Sequence, residues 1–233
     1  YLLTRLVAAA GFFNAAQSPI TWPADIHQGQ LTGWELMTSA WDSRWYSIIV
    51  EDGYPTDIPV DETGAVTQNP WAFYPLFPTI ARLLSAATGL PAGVSGVCIS
   101  TLAGLLAVLL FRKLLIVFWP ASTTSAPWLI FTAPLALAAY PASGVFSAAY
   151  SDSTGVSLVI IALLMLTTRR YGWLCFVILL LGLTRPIAPP LGLVVIVHFW
   201  PQIVGEWRKT HVVPKRPVAW FVAIGITCLI SIF

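Results

Sequence analysis

The sequence predicts an all-α integral membrane protein that crosses the bilayer several times. Hydrophobic residues make up 57% of the 233 residues and charged residues only 9%, whereas a soluble domain carries about 25% charged residues. Apolar stretches recur from Gly93 onward, and several approach the roughly 20 residues that a helix needs to cross the hydrocarbon core. Basic and acidic residues also cluster in different segments, which is typical of loops on opposite sides of a membrane.

The two ends of the chain and its cysteines add to this interpretation. Both ends lie within apolar runs and no Met begins the chain, so we interpret the chain as a fragment of a longer membrane protein. The three cysteines, Cys98, Cys175 and Cys228, lie singly in apolar runs without ligand-like spacing, which predicts packing residues rather than a zinc site or a disulfide framework. The net charge of +2 is too small to indicate a nucleic-acid partner.

The positions of the charges predict the orientation. Basic pairs follow apolar runs at Arg112/Lys113 and Arg169/Arg170, and a third basic cluster lies between Trp200 and Val218. By the positive-inside rule these segments are cytoplasmic. Of the ten acidic residues, only Glu206 shares a basic loop.

Seven spans satisfy this orientation. We expect them at Leu2–Ala16, Gly93–Phe111, Trp128–Phe146, Thr154–Thr168, Tyr171–Leu183, Ile187–Trp200 and from Val218 onward. Residues 17–92 then form one long extracytoplasmic loop, in which Trp71–Leu90 is an interfacial helix that does not cross. The two spans that flank Arg185 are short, so tilted, sunken and re-entrant arrangements stay open. The whole chain, 1–233, is treated as a single membrane domain.

The outer loop contains residue types that suit sugar chemistry. Asp42 lies between Trp41 and Trp45, with Arg44 close by in the sequence. Aromatic faces stack on the apolar face of a pyranose, and a carboxylate can accept a hydroxyl proton, so Asp42 is the best candidate for a general base. The alternative is that the aromatic residues form an interfacial belt and that Asp42 caps a helix over Ser43–Val50.

The stretch WDSRWYSIIVEDGYP (41–55), followed by NPWAFYPLFP (69–78), resembles the first-loop signature of a known enzyme family. This family is the PIG-V type mannosyltransferases, which add the second mannose to GPI anchors, together with their bacterial relatives. Tyr150-Ser151-Asp152-Ser153 is similar to the family's Y-[ST]-E-S motif, with Asp in place of the usual Glu. Leu183-Thr184-Arg185-Pro186 takes the place of a later Arg motif, but the eukaryotic R-x-N-G continuation is absent.

The resemblance implies a GT-C bundle and an inverting transferase with its active site on the extracytoplasmic side, here of a bacterial plasma membrane. Its donor would be a polyprenyl-phosphate-linked mannose held in the membrane lipids, and its acceptor an extracytoplasmic glycolipid, glycan or protein. Asp42 would be the catalytic base. We expect the substrates to be bound by residues of the resembling motifs: Trp41, Arg44, Trp45, Tyr46, Tyr54, Tyr74, Tyr150, Asp152 and Arg185. The family requires no cofactor, although Glu51 and Asp52 could hold a divalent cation.

Arg185 is the leading candidate for the donor phosphate. A guanidinium near membrane depth is costly unless it is paired, and it tends to mark a functional site. Arg185 could instead snorkel to the headgroups, and Asp152 could bind a sugar hydroxyl or a metal, or cap a helix that starts at Thr154. We expect Arg44 to pair with nearby carboxylates and Arg82 to lie among headgroups. The three histidines, His27, His198 and His211, show no ligand spacing.

Two other functions remain open at this point. A transporter or flippase for a lipid-linked sugar would place its charges on discontinuous helices near the middle of the membrane and show related halves. In this sequence the acidic residues gather in the outer loop and no repeat is visible. A catalytically inactive scaffold would fit if Asp42 only capped a helix.

Overall fold

The computed structural model describes residues 1–17 and 31–231. Asp25 and His27 lie outside the described residues. The described part forms helices and no β-strand, which confirms the all-α prediction for these residues. The α-helices are α1 (Leu2–Ala15), α2 (Gly33–Thr38), α3 (Asp42–Glu51), α4 (Leu76–Thr88), α5 (Ala92–Phe118), α6 (Ser122–Ser125), α7 (Leu129–Ala139), α8 (Asp152–Thr167), α9 (Tyr171–Gly182), α10 (Ala188–Thr210) and α11 (Lys215–Ile230), and Pro70–Ala72 and Pro141–Ser147 are 3-10 helices.

Helix α5 has the length and composition of a membrane-spanning helix. It has 27 residues, and its most apolar 18-residue window has a mean hydropathy of 2.3, so at 1.5 Å per residue it is about 40 Å long. Only 28% of that window is buried within the protein, whereas the core helix of a soluble protein is mostly buried. Its apolar surface therefore faces outward, as a helix in lipid does.

The number of spans stays a prediction. Among the described helices, α5 meets the requirements of a span by itself, and α7 with the 3-10 helix after it meets them as a bent pair. The other apolar helices are shorter: α1, α4, α8 and α9 have between 10 and 17 residues. The structure thus supports membrane association without reproducing seven full-length spans.

Two helices extend beyond the residues predicted for their spans. Helix α5 continues beyond Phe111, through Arg112 and Lys113, to Phe118. Arg and Lys are good helix formers, and their stems are apolar. Likewise α10 continues beyond Trp200, through Pro201, to Thr210. The predicted helix Trp71–Leu90 is confirmed over Leu76–Thr88 only, since Pro75 precedes its first turn.

The predicted span Trp128–Phe146 is broken. Helix α7 ends at Ala139, and the 3-10 helix Pro141–Ser147 leaves it at an angle of 72°. Tyr140 has a ψ of 136°, because the residue before a proline avoids the helical conformation. A straight helix is therefore replaced by a bent pair that ends just before Tyr150.

Helix α8 is the central element of the bundle. On one side it packs most extensively on α5, where the Ser157 hydroxyl donates to the Ala103 carbonyl at 2.6 Å. On its other side lies the largest buried apolar cluster, which includes Leu174, Phe199 and Ile224 and joins α8 to α9, α10 and α11. Its first turn, which begins at Asp152, is consequently held between two parts of the bundle.

The segment that carries α2, α3 and α4, residues 31–91, packs on the beginning of α5. Val50 of α3 and Ala81 of α4 are buried together with Ala92. The Arg82 guanidinium donates to the carbonyls of Ile49 and Val50 at 2.9 and 2.7 Å. Arg82 therefore caps the end of α3, and its expected position among headgroups stays a prediction.

Candidate functional site

Three segments that are distant in the sequence meet at the start of α3. They are the first turn of α3, residues 149–152 before and at the start of α8, and residues 183–185 after α9. The Ala149 N–H donates to the Met37 carbonyl at 2.8 Å, and the Leu76 N–H donates to the Leu183 carbonyl at 2.8 Å. These two backbone hydrogen bonds join the second and third segments to residues 31–91, which carry α3.

Arg185 forms an ion pair with Asp152. Its Nη2 donates to Asp152 Oδ2 at 2.5 Å, and its Nε donates to the Ser151 hydroxyl at 3.2 Å. The two charged side chains are 36% and 30% exposed, so the pair is open to a ligand. Arg185 thus has a carboxylate partner.

Asp152 does not cap a helix that starts at Thr154. Helix α8 begins at Asp152 itself, and the Asp152 carboxylate is bound to Arg185. The cap interpretation of Asp152 is therefore wrong.

Asp42 is not a helix cap either. It is the first helical residue of α3, and the N–H groups of Ser43 and Arg44 donate to the backbone carbonyls of Ala40 and Trp41 at 3.1 and 3.2 Å. The residue before it, Trp41, has a φ of 49°, a conformation that costs a non-glycine residue about 1–3 kcal/mol and is frequent at functional sites. The Asp42 carboxylate makes no hydrogen bond or ion pair to the part of the chain described by the structure.

The surroundings of Asp42 change the pKa of its carboxyl. Burial raises the pKa of the Asp42 carboxyl, the negative charge of Asp152 raises it further, and the positive charge of Arg185 opposes both effects. A carboxylate that is half-buried, without a partner and of raised pKa can accept a proton from a ligand.

Two tyrosines complete the cluster. The Tyr46 hydroxyl donates to the Ser151 hydroxyl at 2.7 Å, and Tyr150 is hydrogen-bonded to the backbone of Asp42. The pKa values of Tyr46 and Tyr150 are both raised to about 12, mainly because of burial. Both side chains are therefore neutral at physiological pH and can donate a hydrogen bond.

Three of the predicted aromatic residues, Trp45, Tyr54 and Tyr74, line two cavities. Trp45 stacks on Phe73 with ring centroids 6.1 Å apart. Tyr54 and Tyr74 line a cavity of 420 Å³ together with Trp71, and Tyr54 also lines a neighbouring cavity of 300 Å³ with Trp45. The smaller cavity is thus lined in part by the helix that carries Asp42.

Trp41 lines a third cavity of 610 Å³, on the side of α1 and the bent pair. The side chains around it are mainly apolar, including Leu3, Val7 and Phe12. Trp41 therefore lies between an apolar cavity and Asp42, its neighbour in the sequence.

Arg44 does not pair with a carboxylate. Its guanidinium lies over the Trp45 ring at 5.6 Å from the centroid, and no described carboxylate is within ion-pair distance of it. The expected pairing is therefore not found among the described residues, where the positive charge of Arg44 lies against an aromatic face.

The possible cation site is not assembled in the described part of the chain. No group of three or more His, Cys, Asp or Glu side chains in that part is arranged to hold a metal ion. Glu51 and Asp52 are exposed at the far end of α3 from Asp42, about 14 Å along the helix axis.

Sequence reasoning missed two residues. Ser151 is 1% exposed and joins Tyr46 to Arg185, and its position within the Tyr150–Ser153 motif was the only signal for it. Arg5 is 7% exposed and donates to the Ala138 carbonyl at 2.6 Å and to the Ser143 carbonyl. A charged residue inside an apolar run was the signal for Arg5.

Comparisons of the chain with models of protein families, with curated proteins and with solved structures found no match in any of the three.

Proposed function

We propose that this chain is the catalytic part of a membrane mannosyltransferase. It would move mannose from polyprenyl-phosphate-mannose to a hydroxyl of an extracytoplasmic glycolipid, glycan or protein, with inversion at the anomeric carbon. The observation that supports this most is the Asp42 carboxylate, which has no hydrogen-bond or ion-pair partner among residues 1–17 and 31–231, near the charges of the Asp152–Arg185 ion pair. These groups come from the three separate motifs that carry the resemblance to the PIG-V type family.

Asp42 takes the role of general base. The acceptor hydroxyl gives its proton to the Asp42 carboxylate while its oxygen forms a bond to the anomeric carbon. On the opposite face the bond from that carbon to the phosphate oxygen breaks, and its electron pair leaves with the polyprenyl phosphate. Because the pKa of Asp42 is raised, it is a stronger base than an ordinary exposed carboxylate.

Arg185 takes the role of phosphate ligand. A guanidinium has five N–H donors in a fixed fork. Asp152 and Ser151 each accept from one of its nitrogens, and about a third of the side chain is exposed. The remaining donors can bind the departing phosphate, and the two partners would keep the fork in one orientation.

Two kinds of cavity suit the two parts of the donor. The apolar cavity lined by Trp41 offers an isoprenoid chain an environment similar to lipid. The aromatic cavities lined by Trp45, Tyr54 and Tyr74 offer flat faces for pyranose rings.

The test is transfer from radiolabelled polyprenyl-phosphate-mannose in membranes that contain the full-length protein, compared with membranes that lack it. We expect a labelled, protein-dependent product whose new glycosidic bond has the opposite anomeric configuration to the donor. A product with retained configuration would contradict the assignment of Asp42 as a base that acts on the acceptor. No labelled product with any extracytoplasmic acceptor fraction would contradict the transferase itself.

One observation favours a second candidate, a transporter or flippase for a lipid-linked sugar. Helix α7 and the 3-10 helix Pro141–Ser147 meet at an angle of 72°, and the buried cation Arg5 lies at this break. Broken helices with buried charges are typical of transporters. Proteoliposomes distinguish the two functions, because a flippase moves the lipid-linked sugar between leaflets with no acceptor present, and a transferase does not.

A further inference from the structure

The turn between α8 and α9 places two arginines at a cavity far from Asp42 in the sequence. The cavity measures 660 Å³ and is lined by Arg169 and Arg170 together with aromatic side chains, among them Tyr171, Trp173 and Trp220. Both arginines are exposed. Neither forms an ion pair with a carboxylate in the ranges 1–17 and 31–231, so two positive charges face the cavity without compensation.

The turn holds the two arginines in a fixed position. The Arg169 N–H donates to the Leu166 carbonyl at 3.1 Å, and the Arg170 N–H donates to the Met165 carbonyl at 2.8 Å. Arg169 has a φ of 58°, which reverses the chain within the three residues that separate α8 from α9. The two guanidiniums are therefore carried by a backbone that is already ordered.

The aromatic wall of the cavity is also held in place. The Tyr171 hydroxyl lies 3.1 Å from Nε2 of His198, and its ring lies 5.0 and 5.6 Å from the rings of Phe199 and Trp220. Next to this wall, Trp173 and Phe176 are 63% and 52% exposed. A charged edge thus continues into an apolar and aromatic surface.

We propose that this cavity binds the headgroup of an anionic phospholipid. Guanidiniums bind phosphate oxygens with paired hydrogen bonds. Tyrosine and tryptophan favour the depth of the glycerol and the first acyl carbons. Basic pockets between the ends of membrane helices are known to take such lipids. A soluble phosphate would use only the guanidiniums, whereas a phospholipid uses the charged edge and the exposed rings together.

The matched control is the second basic pair that follows an apolar run, Arg112 and Lys113. This pair lies inside the continuous helix α5, and the Arg112 guanidinium lies over the Phe131 ring, 5.4 Å from its centroid. The control pair thus has the same net charge as Arg169 and Arg170 but lies on a straight helix instead of a tight turn.

The experiment measures binding of brominated phosphatidylglycerol to the full-length protein in phosphatidylcholine nanodiscs. Quenching of the protein's tryptophan fluorescence by the bromine atoms reports the binding. We expect the double variant Arg169→Gln/Arg170→Gln to weaken this binding about 30-fold, the effect of removing two basic residues at about 1 kcal/mol each. Brominated phosphatidylcholine should quench both proteins equally. Arg169→Lys/Arg170→Lys should bind with intermediate strength, because charge is kept and the paired hydrogen bonds are lost.

Three results would overturn the proposal. The first is an equal loss of binding in Arg112→Gln/Lys113→Gln, which would show attraction to any basic surface. The second is that inorganic phosphate displaces the lipid and binds as tightly as the lipid does, which would show a site for free phosphate. The third is unchanged binding in Arg169→Gln/Arg170→Gln. The measurement involves no sugar transfer, so its failure and the failure of the proposed transferase are separate results.

Discussion

Two arginines in apolar surroundings, Arg5 and Arg185, show how the same side chain can support a fold or serve a ligand. Arg5 is almost fully buried, and its guanidinium donates to the carbonyls of Ala138 and Ser143 and to the Ser143 hydroxyl. Arg185 is about a third exposed and bound to one carboxylate and one hydroxyl. A guanidinium enclosed by backbone carbonyls has no room for a substrate, whereas one held on one side by a carboxylate still has donors to offer.

The largest effect on folding is expected at Arg5. Arg5→Met removes the Arg5 donor to the Ser143 carbonyl, and the Ala138 carbonyl keeps only its hydrogen bond from the Ser143 hydroxyl. A buried group that loses its partner costs about 1–3 kcal/mol, so we expect a loss of stability of that order and poor accumulation in membranes. Thermal unfolding in detergent measures this. Arg185→Met is the matched control and should unfold close to the wild-type temperature, because its site is partly exposed. If Arg185→Met unfolded at a lower temperature than Arg5→Met, the structural role given to Arg5 and the ligand role given to Arg185 would be contradicted.

The next effect concerns donor recognition by Arg185. Arg185→Lys keeps the positive charge but loses the planar fork, so it should raise the donor concentration needed for half-maximal rate while the dependence on acceptor stays unchanged. Arg185→Ala should do the same more strongly. Initial rates against polyprenyl-phosphate-mannose at matched expression measure both. If Arg185→Lys used the donor as well as the wild type did and Arg185→Ala only accumulated poorly, Arg185 would have a structural role, as Arg5 has.

A smaller effect should appear in the pH dependence of Asp152→Asn. The charge of Asp152 raises the pKa of Asp42, so its removal lowers that pKa. A general base must be deprotonated, so kcat/KM falls as the pH drops through the pKa of the base. The acid limb of the kcat/KM profile should therefore move to lower pH in this variant. A shift to higher pH, or none, would contradict the coupling between the two carboxyls.

The smallest effect is expected at Ser151. Its hydroxyl accepts from both Tyr46 and Arg185, so Ser151→Ala loosens Arg185 without removing a charge. Double-mutant analysis should give a coupling of about 0.5–3 kcal/mol with Arg185→Lys, as for residues in one network. The readout is donor use, measured as above. Ser153→Ala, at a buried serine whose hydroxyl has no described partner, is the control and should show no coupling to Arg185.

Orientation is tested by labelling cysteines. Thr63 lies in the acidic outer segment and Thr210 in the last basic segment. A cysteine at Thr63 should react with an impermeant reagent in intact cells and one at Thr210 should not, since basic loops stay inside. The reverse pattern would overturn the topology and with it the side on which Asp42 lies.

The sequence was informative about the helices and about the residue types of the site. Long apolar runs allowed most helices to be predicted, because burial or lipid contact requires apolar length. The ends were harder: Arg112 and Lys113 mark the edge of an apolar run but do not stop a helix, and Pro141 breaks one that composition predicts to be continuous.

The contacts within the site could not be predicted in the same way. Asp42, Asp152 and Arg185 were each singled out by their chemistry, but their partners depend on how α3, α8 and α9 pack. Arg44 illustrates this, since it is close to Asp42 in the sequence and yet lies over Trp45. Ser151 and Arg5 were missed because a serine and an arginine reveal their partners only in three dimensions.

The central claim is that the Asp42 carboxylate removes the acceptor proton, and one pair of variants tests it most directly. Asp42→Asn keeps the shape of the side chain and removes the base, and Asp52→Asn makes the same change at an exposed position after the other end of α3. In the transfer assay at matched expression, we expect Asp42→Asn to lower the rate by about 10² to 10⁴ and Asp52→Asn to leave it nearly unchanged. Donor binding should be retained in both. An Asp42→Asn protein that transfers mannose within about twofold of the wild-type rate would contradict the account, because loss of a general base costs far more than that.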